Sequence, residues 1–353
     1  MIFSENRCTL FRIMFWHPAN RLADFEFGMA TAEPGESRSF CRLMMSAGQA
    51  WSVRNTWRSP AMQTFSDALA SFWQIWSPNL VLDVGRYVIA AGGMALILKL
   101  FWDAGLGRRK IQARFASGSD VRREILASLR TGVLFSLTGV GIVLGAMHGV
   151  FTVYTDFETA GVGWLAISLV AIIVAHDAYF YWTHRLMHHP RLYRYFHRTH
   201  HRSVTPTPFA AYAFDVPEAL LMALFTPLWL LMVPMHVLGL FLFMAFMIVR
   251  NVMGHAGVEL MPRALADSRW FGWINATTHH DLHHSSFHYN YGLYFTWWDR
   301  LMGTEHPAYR EQLRGHREVG AAAKAVSHSA HQGGLKAAVP LPGTSTRRLE
   351  ASS

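Results

Sequence analysis

Two H-x-x-H-H strings and one H-x-x-x-H hold most of the metal-binding chemistry of this chain. His184 and His188 stand four residues apart, and His197, His200 and His201 follow closely. His280, His283 and His284 repeat the second spacing further on, and His255 lies between the two strings. On a helix, positions i, i+3 and i+4 share one face. Each cluster is therefore expected to aim its imidazoles at one place. Imidazole is a ligand for zinc, copper, iron and nickel. Eight motif histidines plus His255 exceed what one tetrahedral ion needs, so the count predicts two metal ions. A histidine-rich solvated face is the plain alternative. It accounts for one such string, but poorly for two with an H-x-x-x-H at a helix end.

The strings HDAYFYWTHRLMHH, YRYFHRTHHRS, GHAGVELMP and THHDLHHSSFHYNYGLYFTWWDRLMGT occur in that order. Together they resemble the fatty acid hydroxylase / sterol desaturase superfamily over residues 165–307. The resemblance implies an integral membrane oxidoreductase that oxidises a lipid C–H bond with iron and O₂, by hydroxylation or desaturation. It also implies a metal set of His184, His188, His197, His200, His201, His255, His280, His283 and His284. His189, beside Pro190, and His279, beside the third motif, are further possibilities. In many relatives a His-Pro pair precedes the second apolar hairpin. Here the string reads AFDVPEAL, which puts Asp215 near that histidine's place as a substitute carboxylate.

Nearly all of these donors are neutral. The nearby acids are Asp177, Asp215, Glu218 and Asp281, whereas soluble di-iron bundles rely on Glu and Glu-x-x-His. Two irons can reduce O₂ to an oxidant that removes hydrogen from an unactivated carbon, with the protein holding the metals and aiming the substrate. Zinc can fill such a site on purification but is not redox active. Zinc would support hydrolysis or isomerisation instead, with Asp281 or Glu218 as the base. A metal transporter is a third reading. It needs polar ligands at mid-membrane depth, whereas these stand where apolar runs end. The sequence carries no G-x-G-x-x-G string, so electrons are expected from a separate reductase or ferredoxin-like protein.

The elements that must position these residues are apolar. Of 353 residues, 51% are apolar and 16% charged, with a net charge of +9. Cys8 and Cys41 make neither a disulfide framework nor a cysteine zinc site. Lys and Arg cluster beside the apolar runs, which points to membrane orientation rather than nucleic acid. The expected fold is all-α and integral to the membrane: helical hairpins carrying a cytoplasmic, histidine-rich di-metal domain.

Residues 1–78 read as a tail with an interfacial helix over 62–77, 79–317 as the membrane-embedded catalytic domain, and 318–353 as a disordered tail. Spans are expected over 79–101, 131–151 and 161–181, followed by a second hairpin over 216–250 interrupted by Pro227 and Pro234. Asp83 and Arg86 are placed to pair in the first span. Gly132, Gly139, Gly141 and Gly145 permit close packing of the second.

The basic segment 107–124 is expected in the cytoplasm. No Lys or Arg occurs between Arg130 and Arg185, so the 152–160 turn is expected on the opposite side. His236 falls at the turn of the second hairpin and reads as structural. The helix bearing His184 and His188 must end near Pro190, and a new one carrying His197, His200 and His201 starts there. The location implied is a bacterial inner membrane, or the endoplasmic reticulum membrane in a eukaryotic cell.

Overall fold

The computed structural model describes residues 65–314 apart from position 267. Residues 1–64, with Cys8 and Cys41, and the expected tail over 318–353 lie outside the described residues.

Four helices are long and apolar enough to cross a membrane. α1 runs Phe65–Leu100, α2 Gly118–Met147, α3 Gly161–Met187 and α8 Val237–Gly254. Between α3 and α8 lie α4 (Pro190–Phe196), α5 (Arg198–His201), α6 (Val216–Ala223) and α7 (Phe225–Leu230). Three short helices follow α8: α9 (Arg263–Ala266), α10 (Thr277–Ser286) and α11 (Trp297–Leu301). The protein is thus an all-α integral membrane protein. The second hairpin is asymmetric, since its first arm is the broken pair α6–α7 and its second arm is the continuous α8.

α1 differs from expectation. It starts at Phe65 and carries Pro78 in its interior, so residues 65–77 of the expected interfacial helix belong to the same helix as the span. Proline frees a backbone carbonyl one turn earlier. Here the neighbouring carbonyls gain side-chain donors. Ser77 Oγ donates to Trp73 O at 2.8 Å, and Asn79 Nδ2 donates to Ile75 O at 2.8 Å. The helix continues through the proline. Asp83 and Arg86 form the expected ion pair.

α2 begins earlier than the apolar run suggests, because Ser117 and Asp120 form a capping box. It packs against α1 through its glycines. A Cβ on Gly139 would lie 2.7 Å from Asn79 Oδ1, and one on Gly132 would lie 3.3 Å from Val84 Cγ2. Gly141 faces open space and contributes nothing to this contact.

The two hairpin turns meet. β1 (Val153–Tyr154) and β2 (Met235–His236) pair in parallel, with Tyr154 opposite His236. Both strands lie at the N-terminal ends of the helices that follow them. His184 and His188 lie at the C-terminal end of the first of these helices and His255 at that of the second. α8 has 18 residues, about 27 Å at 1.5 Å per residue, and separates His236 from His255. His236 caps α8, accepting from Leu238 N at 2.9 Å, and stacks on Phe157 with ring centroids 4.4 Å apart.

At the histidine end, a 3₁₀ stretch over Pro208–Tyr212 threads between helices. Tyr87 and Ser128 both donate to Phe209 O, and Asn251 donates to Ala211 O at 2.7 Å. Asp177 in α3 accepts from Tyr294 N at 2.8 Å and from Trp297 Nε1 at 2.7 Å. That clamp ties the aromatic segment before α11 to the third span.

Candidate metal centre

Nine histidines converge into two groups. His184, His188, His197, His201 and His283 form one; His200, His255, His280 and His284 form the other. Within each group the donor atoms all lie within 4.8 Å of one another. All but the half-buried His188 are buried.

The division cuts across the sequence motifs. His197 and His201 serve the first group, while His200, from the same string, serves the second. His283 serves the first, while His280 and His284 serve the second. The expectation that each H-x-x-H-H aims at one place is therefore corrected. Its physical cause lies partly in the backbone. α4 and α5 are not one helix, because His197 breaks them apart with φ −132° and ψ 0°. In α10, which is regular, His283 leaves the helix on a different bearing from His280 and His284, since consecutive helical residues do not share a face.

The contact distances are those of coordination edges. In the first group, Nε2–Nε2 separations are 2.9 Å for His184–His197, 3.1 Å for His188–His201 and 3.0 Å for His201–His283. In the second they are 2.9 Å for His255–His280, 3.2 Å for His255–His284, 3.2 Å for His280–His284 and 3.3 Å for His200–His255. With metal–nitrogen bonds of about 2.1 Å, ligand nitrogens at right angles lie ~3.0 Å apart, and tetrahedral ones ~3.4 Å apart.

A hydrogen bond between the rings does not explain the His184–His197 contact. The Nδ1 atoms of His184, His255 and His283 face the carbonyls of Tyr291 at 2.8 Å, Asn251 at 2.8 Å and Tyr289 at 2.7 Å. A carbonyl only accepts, so each Nδ1 carries the proton and each Nε2 presents a lone pair. His197 Nδ1 stands 2.7 Å from Glu218 Oε1 and is oriented in the same way. Bare lone pairs at these separations repel, and a cation between them removes the repulsion. Outward partners of this kind are what metal-bound histidines use.

Burial also holds the rings neutral, as ligation requires. It pushes the His255 imidazole down to about 4 and the His188 imidazole down to about 2. Burial and then neighbouring rings hold His200, His201, His280 and His284 well below the usual histidine range.

The remaining candidates stand outside both groups. His189 is exposed and caps α4, its Nδ1 accepting from Arg191 N at 3.4 Å. His279 is a buried residue of α10, with Nε2 3.3 Å from Asp299 Oδ2. Asp215 does not replace a ligand. Its carboxylate accepts from Thr199 N at 2.8 Å and Thr199 Oγ1 at 2.5 Å, which anchors α5. Asp281 faces away from the rings and accepts from Gln112 Nε2 at 2.8 Å.

Sequence reasoning missed Asp299. It accepts from Tyr291 N and Gly292 N, both at 2.8 Å, and so presents Tyr291 O to His184. The available signal was a lone acid inside the aromatic string YFTWWDRL. Glu259 was missed as well. It caps α10, accepting from Thr278 N at 2.8 Å, where the helix N-terminus favours a negative charge.

Fold and site together define a membrane-embedded metalloprotein with a histidine-cluster centre. Residues 169–304 match the family model for fatty acid hydroxylase. The lathosterol oxidase of Mus musculus is 32% identical over 263 residues, covering 73% of this chain and 84% of that protein. That of Rattus norvegicus is 32% identical over 224 residues, covering 62% and 72%. The Delta(7)-sterol 5(6)-desaturase of Gibberella zeae is 34% identical over 187 residues, 53% of this chain and 56% of that protein. No solved structure matches the chain. The chain belongs to the fatty acid hydroxylase / sterol desaturase superfamily and is an oxidoreductase of lipid C–H bonds.

Proposed function

We propose that the nine histidines hold two iron ions, five imidazoles on one and four on the other, and that the chain desaturates a sterol-class lipid. The observation that carries this reading is the two sets of converging Nε2 atoms separated by 2.9–3.3 Å. The relatives add the substrate class, since their names describe oxidation of sterols.

Bound iron supplies O₂ reduction and removal of hydrogen from carbon. The chain's residues do the rest. Glu218 and the carbonyls of Tyr289, Tyr291 and Asn251 fix the tautomers of four ligands. Asp215 and Glu259 hold the short helices that deliver the others. Lys and Arg in 107–124 and 185–202 put the cluster at the cytoplasmic face, and a separate reductase or ferredoxin-like protein delivers electrons there.

A metal-dependent hydrolase or isomerase fits less well. Its base must stand beside the ions, but Glu218 and Asp281 both bind groups on the far side of the rings.

The test is conversion of a Δ7-sterol by membranes containing the protein, with and without O₂ and reductant. The expected product is two hydrogens lighter and forms only with both. The same product formed equally well without O₂ would contradict the proposal, and an isomer or a hydrolysis product formed without O₂ would favour the isomerase or hydrolase reading.

A further inference from the structure

Apolar surface is exposed outside the spans as well. Two strips between Leu265 and Leu301 run side by side: Ile274 and Phe295 form an antiparallel bridge, and Thr296 N donates to Trp273 O at 2.8 Å. Arg300 Nη2 donates to Gly272 O at 2.8 Å, and Trp273 stacks on Trp297 with ring centroids 5.5 Å apart. The strips leave Leu265, Trp270, Phe271, Trp297 and Leu301 between 36% and 71% exposed. Lone exposed apolar residues are ordinary, but large ones gathered in this way mark a contact surface.

Two anchors set the height of this patch. Trp297 Nε1 donates to Asp177 Oδ2 of α3 at 2.7 Å, and Thr277 Oγ1 donates to Met253 O of α8 at 3.0 Å. Asp177 and Met253 each lie sixteen residues beyond the start of their helix, which is about 24 Å at 1.5 Å per residue. Both helices start at the end where β1 and β2 pair. A hydrocarbon core is about 30 Å thick, so both anchors stand near its histidine-side edge. His184 stands about 10 Å further out along α3. Tryptophan favours the membrane boundary, because its ring is apolar and its N–H is not. Arg269 lies over the Trp270 ring, 4.8 Å from its centroid, and a long charged side chain reaches water from that depth.

The patch is also continuous with surface that the spans give to lipid. Trp182 and Leu186 of α3 are exposed, and Trp182 meets Trp298 of α11 with ring centroids 6.0 Å apart. Val249, one turn before Met253 in α8, is exposed too.

We propose that Leu265, Trp270, Phe271, Trp297 and Leu301 lie in the headgroup–acyl boundary of the membrane that the four spans cross, which makes the two strips a monotopic anchor. The partner of this surface is lipid. α10 begins six residues after Phe271, so the anchor holds His280, His283 and His284 at a fixed height above the bilayer. The inference goes beyond the proposed sterol oxidation and depends on neither the metal nor the substrate.

The test is spin labelling of the full-length protein in phosphatidylcholine nanodiscs, with Cys8→Ser and Cys41→Ser removing the native thiols. Labels are placed one at a time on Trp270→Cys, Phe271→Cys and Leu301→Cys. Val249→Cys gives the lipid reference, and Ser119→Cys, exposed at the histidine-side start of α2, gives the water reference. Power saturation compares collisions with O₂, which dissolves in lipid, and with a nickel chelate, which stays in water. The three labels should show an O₂-to-nickel ratio at least several-fold above that at Ser119 and approaching that at Val249. Nickel access at these sites equal to that at Ser119 would overturn the proposal. So would shielding from both colliders, the pattern of a protein contact. Each site is read separately, so a variant that fails to assemble leaves the other two to decide.

Discussion

His200 and His201 are neighbours in the chain, yet they serve different groups. His201 Nε2 lies 3.0 Å from His283 Nε2, while His200 Nε2 lies 3.3 Å from His255 Nε2. Neither group can therefore be assembled from one motif. Each draws on the span ends, on α4–α5 and on α10, so the two form together.

This interlock makes the histidines unequal to their bystanders. His201→Ala opens the first group and His284→Ala opens the second. Either should lower product yield by on the order of a hundredfold or more, since a displacement of about an ångström at a reacting centre can cost that much. The measurement is product yield at matched membrane levels. Near-normal turnover by either variant would show that its group is not needed.

Glu218 touches no second acid among the described hydrogen bonds, and its Oε1 orients His197. Glu218→Gln should reduce metal affinity or activity by about 10–100-fold, the usual cost of losing an outer partner of a metal-bound histidine. Metal content and turnover should fall together. A fall in thermal stability with both unchanged would mean that Glu218 is only a packing residue.

His236 gives the contrasting case. It lies at the opposite end of α8 from His255 and caps that helix. His236→Ala should retain activity while losing about 1 kcal/mol of stability, the typical cost of removing a helix cap. Thermal inactivation in detergent measures the second effect and turnover the first. A variant that stays folded but inactive would place the second hairpin's turn near the metals.

The same geometry predicts the topology. β1 and β2 pair at the end of the bundle away from the histidines. Reporter fusions after Phe157 and after Arg202 should report opposite sides of the membrane, with Arg202 in the cytoplasm. The same side for both would overturn the hairpin arrangement.

Much of this was legible before the structure. Apolar runs without Lys or Arg marked the second and third spans, because charge is costly in a bilayer. The histidine spacings marked the nine residues that the structure brings together. What stayed hidden depends on tertiary partners. α1 runs through Pro78, where a proline would be expected to interrupt a helix. The partition of each H-x-x-H-H between two groups follows from adjacent helical residues facing different ways, and which group each residue joins depends on the tertiary partners it meets. The acids were visible, but their roles were not. Asp215 grips Thr199 and Asp299 holds the turn behind His184, because buried carboxylates follow nearby backbone donors rather than motif position.

Metal stoichiometry tests the central claim most directly. Protein purified anaerobically and reconstituted with iron should contain close to two ions per chain. His201→Ala and His284→Ala should each lose about one, from different groups. One ion per chain with full activity would contradict the account, because one of the two histidine groups would then have no metal to hold.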